Sequence, residues 1–171
     1  RNSMNIIQRL VAALERQDFP HPVEYIFMDN ASTDGTREYL ESLELAPLRV
    51  EHVPTGEFSH SGTRMRAASL ANGDLLAFFT DDIIPQGTDF LSALTLPVRE
   101  GRAPAAYGVW QIDPTTSDPV DAWLHNGWYR DVIQLVEPVS RFCWDFFTPE
   151  LRRRLCNFDN CASCIRRDLL L

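Results

Sequence analysis

Residues whose types could do chemistry lie in three short segments of the first half of the chain. They are the run from Asp29 to Thr36, the pair Thr63-Arg64, and the run Thr80-Asp81-Asp82. Adjacent carboxylates such as Asp81 and Asp82 would repel a diphosphate unless a divalent cation stood between them, and Mg²⁺ or Mn²⁺ accepts one or two carboxylates together with phosphate oxygens and water. The third segment is a candidate metal-diphosphate site, although a solvated acidic turn has the same composition.

The first segment, taken alone, supports several interpretations. Five of its residues fall at positions one, three, five, six and twelve of an EF-hand calcium loop: Asn30, Ser32, Asp34, Gly35 and Glu41. An aspartyl phosphatase loop is excluded because Ser32 stands where its nucleophile would be. A nucleotide pocket would place Asp29 or Asn30 against base or ribose, with Ser32 and Asp34 capping the next helix. A helix cap without a ligand is the plainest alternative.

Arg64 stands where a loop enters a predicted helix. The amide donors of a first helical turn and the guanidinium fork both suit a phosphate or pyrimidine contact. A surface arginine is the alternative for this residue alone. Whether Arg64 binds a ligand therefore depends on which other elements lie beside it in the fold.

Apolar spacing predicts the elements that position these segments. Helices are predicted over 5–16, from 34–36 onward, over 61–72, over about 88–96 and from Arg166; strands are predicted over 23–28, 48–53, 75–79, 104–112 and 158–165. Residues 113–150 have no clear period. The alternation predicts an α/β fold with a mainly parallel central sheet flanked by helices, and it places the polar segments at the carboxyl ends of strands.

Length and charge limit the class of protein. The 171 residues fit a single domain, 1–171, and sixteen basic against twenty-four acidic residues give a net charge of -8. Nucleic-acid binding is disfavoured, because it draws its affinity from cations that face phosphates. The longest apolar run, residues 75–79, is far shorter than the roughly 20 residues of a membrane span.

Cysteines and tryptophans in the second half suggest weaker alternatives. Zinc binding by Cys143, Cys156, Cys161 and Cys164 competes with buried reduced thiols, and a reducing cytoplasm is the default for cysteines without a spread-out framework. Trp123, Trp128 and Tyr129 could line a ligand cleft or simply pack in the core.

The joint order of the motifs resembles the inverting family 2 glycosyltransferases of GT-A fold, and most of all the bacterial rhamnosyltransferases. The segment Phe58 to Arg64 is similar to that family's Phe-x-His-x-x-Thr-Arg, and Thr80 to Pro85 is similar to its Thr-Gln-Asp-Ala-x-Pro metal motif. Gly108 to Gln111 lies near its Gly-Arg-Gln, and Phe158 to Arg167 near its Phe-Ser-Asn-x-x-Ser-x-Ile-Arg-Arg.

The resemblance implies transfer of a sugar, rhamnose-like, from a dTDP- or UDP-linked donor to a saccharide or lipid-linked acceptor by metal-assisted inverting displacement. The implied nucleotide-binding residues are Asp29, Asn30, Ser32, Asp34, Arg64 and Asp81, and the implied ligands of Mg²⁺ or Mn²⁺ are Asp82 and Asp81. Residues 1–100 would form the nucleotide-sugar half and 101–171 the acceptor half. The implied location is cytoplasmic, with contact to the inner face of the membrane left open.

Two departures from the family pattern limit these expectations. Asp81 replaces the motif's Gln, which leaves the donor sugar open. The family's first strand would end at Arg1-Asn2 and its catalytic base would lie beyond Leu171, so a domain truncated at both ends is expected and no catalytic residue is assigned. The rival hypotheses are a GT-A-like nucleotidyltransferase, which needs a phosphate-loop lysine that this chain lacks, and a calcium-binding module on residues 30–41.

Overall fold

The computed structural model describes residues 1–45, 47–112, 115, 117–133, 148–150 and 160–171. These residues belong to two compact units. The first unit comprises Arg1–Tyr107 together with Asn160–Leu171, and the second comprises Gly108–Asp159. The three polar segments identified in the sequence all lie in the first unit.

Helices and strands alternate through the first unit. Its helices are α1 (Met4–Glu15), α2 (Thr36–Glu41), α3 (His60–Leu70) and α4 (Phe90–Arg99), and its strands are β1 (Tyr25–Asp29), β2 (Leu48–His52), β3 (Leu75–Phe79) and β4 (Ala105–Tyr107). Helix α5 (Pro119–Ile133) lies in the second unit, and β5 (Ala162–Arg166) with α6 (Arg167–Leu170) returns to the first. The predicted α/β alternation is confirmed over this range.

Two sheets, rather than one mainly parallel sheet, hold these strands. β1 and β2 pair in parallel, with Tyr25 opposite Leu48. The second sheet has the order β3-β5-β4, and β5 is antiparallel to both of its neighbours. The expected mainly parallel sheet is thus shown only in part: β1 and β2 are parallel, whereas β5 runs against β3 and β4, because the chain leaves after β4 and re-enters between β3 and β4 in the opposite direction.

Apolar clusters on both sides of β1 and β3 join the two sheets. One cluster is built on the buried face of α1 and includes Phe27 of β1 and Phe79 of β3. Another lies under α3 and includes Ile26 of β1 and Phe78 of β3. Since adjacent strand residues point to opposite faces, each strand contributes to both clusters, and the two strands belong to one core.

The amino ends of β1 and β3 are tied by one carboxylate. Glu24, just before β1, accepts hydrogen bonds from the backbone N–H groups of Asn72 (2.6 Å) and Gly73 (2.9 Å) and from the Asn72 side chain. Burial raises the pKa of Glu24, but these donors outweigh burial and hold that pKa below its ordinary value. Both strands therefore begin at the same edge, and α3, which ends there, runs antiparallel to them.

The second unit is described through α5 and the segment before it. The side chain of Asn126 pairs with both backbone groups of Ile112, at 3.0 and 3.1 Å. The rings of Trp110 and His125 lie 3.7 Å apart between centroids. The predicted strand 104–112 is therefore too long: only Ala105–Tyr107 joins the sheet. None of the helices among the described residues combines the length and apolar character needed to cross a membrane.

Candidate functional site

The loop after β1 is fastened to the residues that precede α1. Asp29, which is buried, accepts a hydrogen bond from the backbone N–H of Ser32 at 3.2 Å. The Ser32 hydroxyl accepts from the backbone N–H of Asn2 at 2.9 Å, and the Asn2 side chain accepts from the backbone N–H of Thr33 at 2.8 Å. Ser32 thus serves as a joint between two segments that lie thirty residues apart in the chain.

Backbone strain is concentrated in the same place. Asn2 (φ 54°) and Ala31 (φ 48°) are the non-glycine residues with left-handed backbone among those described. A left-handed alanine costs roughly 1–2 kcal/mol relative to a right-handed one. Strain of this kind persists where the surroundings fix the backbone, and it clusters at functional sites.

Asp34 is engaged with both of its carboxylate oxygens. One oxygen accepts from the backbone N–H of Met4, the first residue of α1, at 3.0 Å. The other accepts from the hydroxyl of Thr36 at 2.5 Å and from its backbone N–H at 3.1 Å. The Thr36 hydroxyl, followed by the Met4 N–H, lowers the pKa of Asp34. Asp34 therefore joins the starts of α1 and α2.

The residues of the calcium-loop hypothesis do not converge. A strand, β1, precedes the loop where an EF-hand requires a helix. Glu41, which would be the bidentate ligand, pairs instead with Arg37 at 2.7 Å on the exposed side of α2. The carboxylate of Asp34 is bonded to Met4 and Thr36 rather than turned towards the other residues of the hypothesis. The loop after β1 therefore supports the starts of α1 and α2.

The start of α3 presents Arg64 towards the second sheet. Ser59 caps the helix by accepting from the backbone N–H of Gly62 at 3.1 Å, and a Cβ at Gly62 would approach the Ser59 hydroxyl to 2.6 Å. A larger residue at that position would therefore make the Ser59 hydroxyl move from its present place. One turn into α3, an Arg64 Nη donates to the backbone carbonyl of Asn160 at 2.8 Å.

The loop after β3 meets the same segment. The backbone N–H of Thr80 donates to the carbonyl of Cys161 at 2.9 Å, one residue from the partner of Arg64. Asp81 is 46% exposed, and one of its oxygens lies 3.8 Å from the backbone nitrogen of Arg1. Asp82 is exposed. These contacts bring Arg64, Asp81 and the Asn2–Ser32 joint to one edge.

We call Asp29, Asn30, Arg64, Asp81 and Asp82 the edge site. They lie at the carboxyl ends of β1 and β3 and at the start of α3. The bounds of the strands and helices place all five at this end of the first unit, and their roles in binding stay predictions. Sites of open α/β folds lie at this edge because the loops that follow parallel strands meet there.

Asp81 and Asp82 offer the ligands that a hard cation prefers. Among the residues that the structure describes, no group of three or more His, Cys, Asp or Glu side chains is arranged to hold a metal. Mg²⁺ commonly uses only one or two carboxylates and completes its shell with phosphate oxygens and water. The pair fits a cation that arrives with a diphosphate, and it does not fit a cage made by the protein alone.

The cysteines give no support to a zinc site within the described part of the chain. Cys164 lies buried between α4 and the second sheet, and burial raises the pKa of its thiol to about 11. Cys143 and Cys156 lie outside the described residues, as do the side chains of Trp128 and Tyr129. Trp123 is exposed on α5.

Thr63 is the residue at this edge that the sequence patterns did not single out as a ligand. Its hydroxyl oxygen and the side-chain oxygen of Asn30 are buried and have no hydrogen-bond partner among the described residues. A threonine next to an arginine carries no signal in sequence that its hydroxyl is unpaired.

The anionic and cationic side chains of this α/β unit lie at the carboxyl ends of its strands, which is where open α/β folds bind their ligands. The family model described as Glycosyl transferase family 2 matches residues 1–157, which is most of the chain, and the chain belongs to this family. Membership implies the GT-A fold and glycosyltransferase activity. A comparison with curated proteins finds no match.

Proposed function

We infer that the protein transfers a sugar from a dTDP- or UDP-linked donor to a saccharide or lipid-linked acceptor. The observation that carries this inference is the meeting of three segments at one edge. Arg64 and Thr80 bond to adjacent residues, Asn160 and Cys161, while Asp81 lies beside Arg1. A cationic fork and two carboxylates at one strand edge suit a diphosphate and its counterion.

The roles of the edge residues follow from their chemistry. Asp29 and Asn30 lie after β1 and would contact the nucleoside, and Arg64 would hold a phosphate oxygen with its guanidinium. Ser32 and Asp34 act on the nucleotide indirectly, because their side chains hold the loop in place. Each residue of the nucleotide set thus has either a binding or a positioning role.

Asp82, with Asp81 beside it, would hold a Mg²⁺ or Mn²⁺ ion at the diphosphate. The ion would supply neutralisation of the negative charge that develops on the leaving group. Without such a counterion the two carboxylates would repel the diphosphate, in a chain whose net charge is already -8. The acidic pair is therefore the part of the site on which metal dependence rests.

Transfer would proceed with inversion. An acceptor hydroxyl would attack the anomeric carbon from the face opposite the leaving diphosphate, and a carboxylate base would take the hydroxyl proton. A rhamnose-like sugar is supported by the resemblance of the Phe58 to Arg64 segment to the rhamnosyltransferase motif. The donor sugar stays open at Asp81, which departs from the rhamnosyl motif.

The test is calorimetric titration with UDP and with dTDP, each with and without Mn²⁺. The wild type is compared with Asp82→Asn and with a matched control, Asp74→Asn, which removes an exposed carboxylate just before the opposite end of β3. We expect Mn²⁺ to strengthen binding in the wild type and in the control but not in Asp82→Asn. Equal, metal-independent binding by all three would remove the metal role, and absence of binding by both nucleotides would remove the donor class.

A further inference from the structure

The side chain of Gln17, just after α1, is bonded to the segment that follows the acidic pair. Its Nε2 donates to the backbone carbonyl of Gly87 at 3.0 Å and to that of Ala13 at 3.1 Å. Its Oε1 accepts from the backbone N–H of Leu91 at 3.0 Å. A glutamine amide offers two donors and one acceptor oxygen, so Gln17 uses both kinds of group at this junction.

Two of these bonds satisfy the ends of helices. Ala13 lies in the last turn of α1, and Leu91 lies in the first turn of α4, where carbonyl and N–H groups respectively have no partner within the helix. Asp89, at the N-cap of α4, makes no capping bond with its side chain. Gln17 therefore supplies the acceptor that an N-cap side chain would ordinarily give.

The third bond, to Gly87, fixes the far end of the segment that carries the acidic pair. At the near end, the backbone N–H of Thr80 donates to the carbonyl of Cys161 at 2.9 Å. Asp81 and Asp82 lie between these two attachments. Gly87 has a left-handed backbone (φ 70°), which glycine adopts without strain and which turns the chain towards α4. The path of the backbone through the acidic pair is therefore set from both ends.

We propose that Gln17 is a positioning residue of the acidic pair, whose bond to Gly87 holds the carboxylates of Asp81 and Asp82 where both can meet one divalent cation. This inference rests on the proposed function. Adjacent carboxylates repel each other, so their side chains turn apart unless the backbone and a cation keep them together. A ligand set binds its ion well only when the residues behind it fix its geometry.

Other bonds at the same junction fasten α4 to the end of α1 without reaching Gly87. The backbone N–H of Asp18 donates to the carbonyl of Thr88 at 2.7 Å, and the hydroxyl of Ser92 donates to the carbonyl of Asp18 at 3.1 Å. Loss of the Ser92 hydroxyl would loosen the junction and leave the bond between Gln17 and Gly87 in place. Ser92 therefore provides a control for general loosening of this region.

The test compares the wild type with Gln17→Glu, Gln17→Met and the control Ser92→Ala. Gln17→Glu keeps an acceptor for the N–H of Leu91 and removes the donor to Gly87, whereas Gln17→Met removes every bond of the side chain. Thermal unfolding without ligand gives the stability of each protein. UDP and dTDP are then titrated with and without Mn²⁺, at a temperature at which all four proteins are folded.

We expect both Gln17 variants to lose about tenfold of the Mn²⁺-dependent gain in nucleotide affinity, with the metal-free affinity unchanged. Residues behind a metal ligand contribute 10- to 100-fold. The low end of that range applies because Pro85, which is buried between the acidic pair and Gly87, limits how far the carboxylates can move. Ser92→Ala should keep the full gain.

A role in stability alone gives a different result. The full Mn²⁺-dependent gain in folded Gln17→Glu, or an equal loss in Ser92→Ala, overturns the positioning role. The carboxylate introduced by Gln17→Glu would by its charge favour a cation, so a weaker response to Mn²⁺ in that variant reports the position of the acidic pair. Absence of any Mn²⁺-dependent gain in the wild type overturns the proposed metal role itself.

Discussion

The loops that follow β1 and β3 contain the same carboxylate chemistry in opposite conditions. After β1, Asp29 bonds to the backbone of its own loop and Asp34 bonds to the starts of two helices. After β3, Asp81 and Asp82 are partly or fully open to water. Asp34 is itself exposed, so the two pairs differ in the backbone groups that their carboxylates bind rather than in exposure alone: the first pair holds the backbone in place, and the second pair is available to a ligand.

The difference shows how one acidic chain can build a site and still offer charge to a ligand. A carboxylate that accepts two or three N–H or O–H bonds has much of its lone-pair capacity in use, and these bonds lower its proton affinity. Fewer of its lone pairs are then left for a metal ion. Exposed adjacent carboxylates keep their lone pairs available, and they repel each other until a cation binds.

Removal of both carboxylates after β3 gives the largest expected effect. The variant with Asp81→Asn and Asp82→Asn should lose the whole of the Mn²⁺-dependent gain in UDP affinity, on the order of 100-fold, since even residues behind a metal ligand contribute 10- to 100-fold. Its unfolding temperature should stay the same or rise. Calorimetry and thermal unfolding check the two parts, and a retained response to Mn²⁺ would contradict the account.

Replacement of Asp34 should lower the stability of the folded protein more than it lowers nucleotide affinity. Asp34→Ala removes the acceptor of the Met4 and Thr36 donors at the starts of two helices. Loss of an acceptor of this kind, comparable to loss of an N-cap, should lower the unfolding midpoint by about 2–6 °C in a chain of this size. Differential scanning calorimetry measures the change. Glu38→Ala, which removes an exposed carboxylate of α2, is the control and should leave the midpoint nearly unchanged. An Asp34→Ala midpoint equal to that of the wild type would remove the scaffold role.

The stability of the protein at low pH should also depend on Asp34, but with a smaller effect than its replacement by alanine. The pKa of Asp34 is lowered in the folded protein by its bond to Thr36, so its contribution to stability is present above the ordinary carboxyl pKa and is lost as pH falls through the folded value. Urea unfolding at about pH 5 and pH 3 should show a smaller loss of stability in Asp34→Asn than in the wild type. Identical losses would show that Asp34 is not linked to folding.

The smallest effect is expected at Glu41. Its pair with Arg37 is exposed on α2, and exposed pairs contribute little. Glu41→Gln should unfold within about 1 °C of the wild type, with and without Ca²⁺. Calcium-induced stabilisation of the wild type that disappears in Glu41→Gln would show that the loop after β1 binds a cation. It would contradict the division between the loops after β1 and β3.

Much of the first unit could be predicted from sequence because its signals are local. The continuous apolar run from Leu75 to Phe79 coincides with β3, and the apolar spacing of residues 5–16 matches α1 within one residue at each end. Asp34-Gly35-Thr36 correctly marks the start of α2. The prediction succeeds for β3 and α1 because the apolar residues that form the pattern are the same residues that pack into the core.

The contacts that assemble the site are not local, and no periodicity encodes them. The direction of β5 depends on the path of the chain after β4. The partner of Arg64 is a backbone carbonyl 96 residues later, which any residue type at position 160 could supply. The overlong prediction of β4 has a physical cause, because the β-forming residues after Tyr107 pack within the second unit, where Trp110 meets His125.

The distinction between scaffold and ligand carboxylates is tested most directly by thermal unfolding of three proteins, each with and without UDP and Mn²⁺. The wild type should be stabilised by about 5–10 °C at a ligand concentration a hundredfold above Kd. Asp34→Asn should begin from a lower midpoint and keep that stabilisation, whereas Asp82→Asn should begin from the wild-type midpoint and lose it. Equal behaviour of the two variants would contradict the division between the two loops.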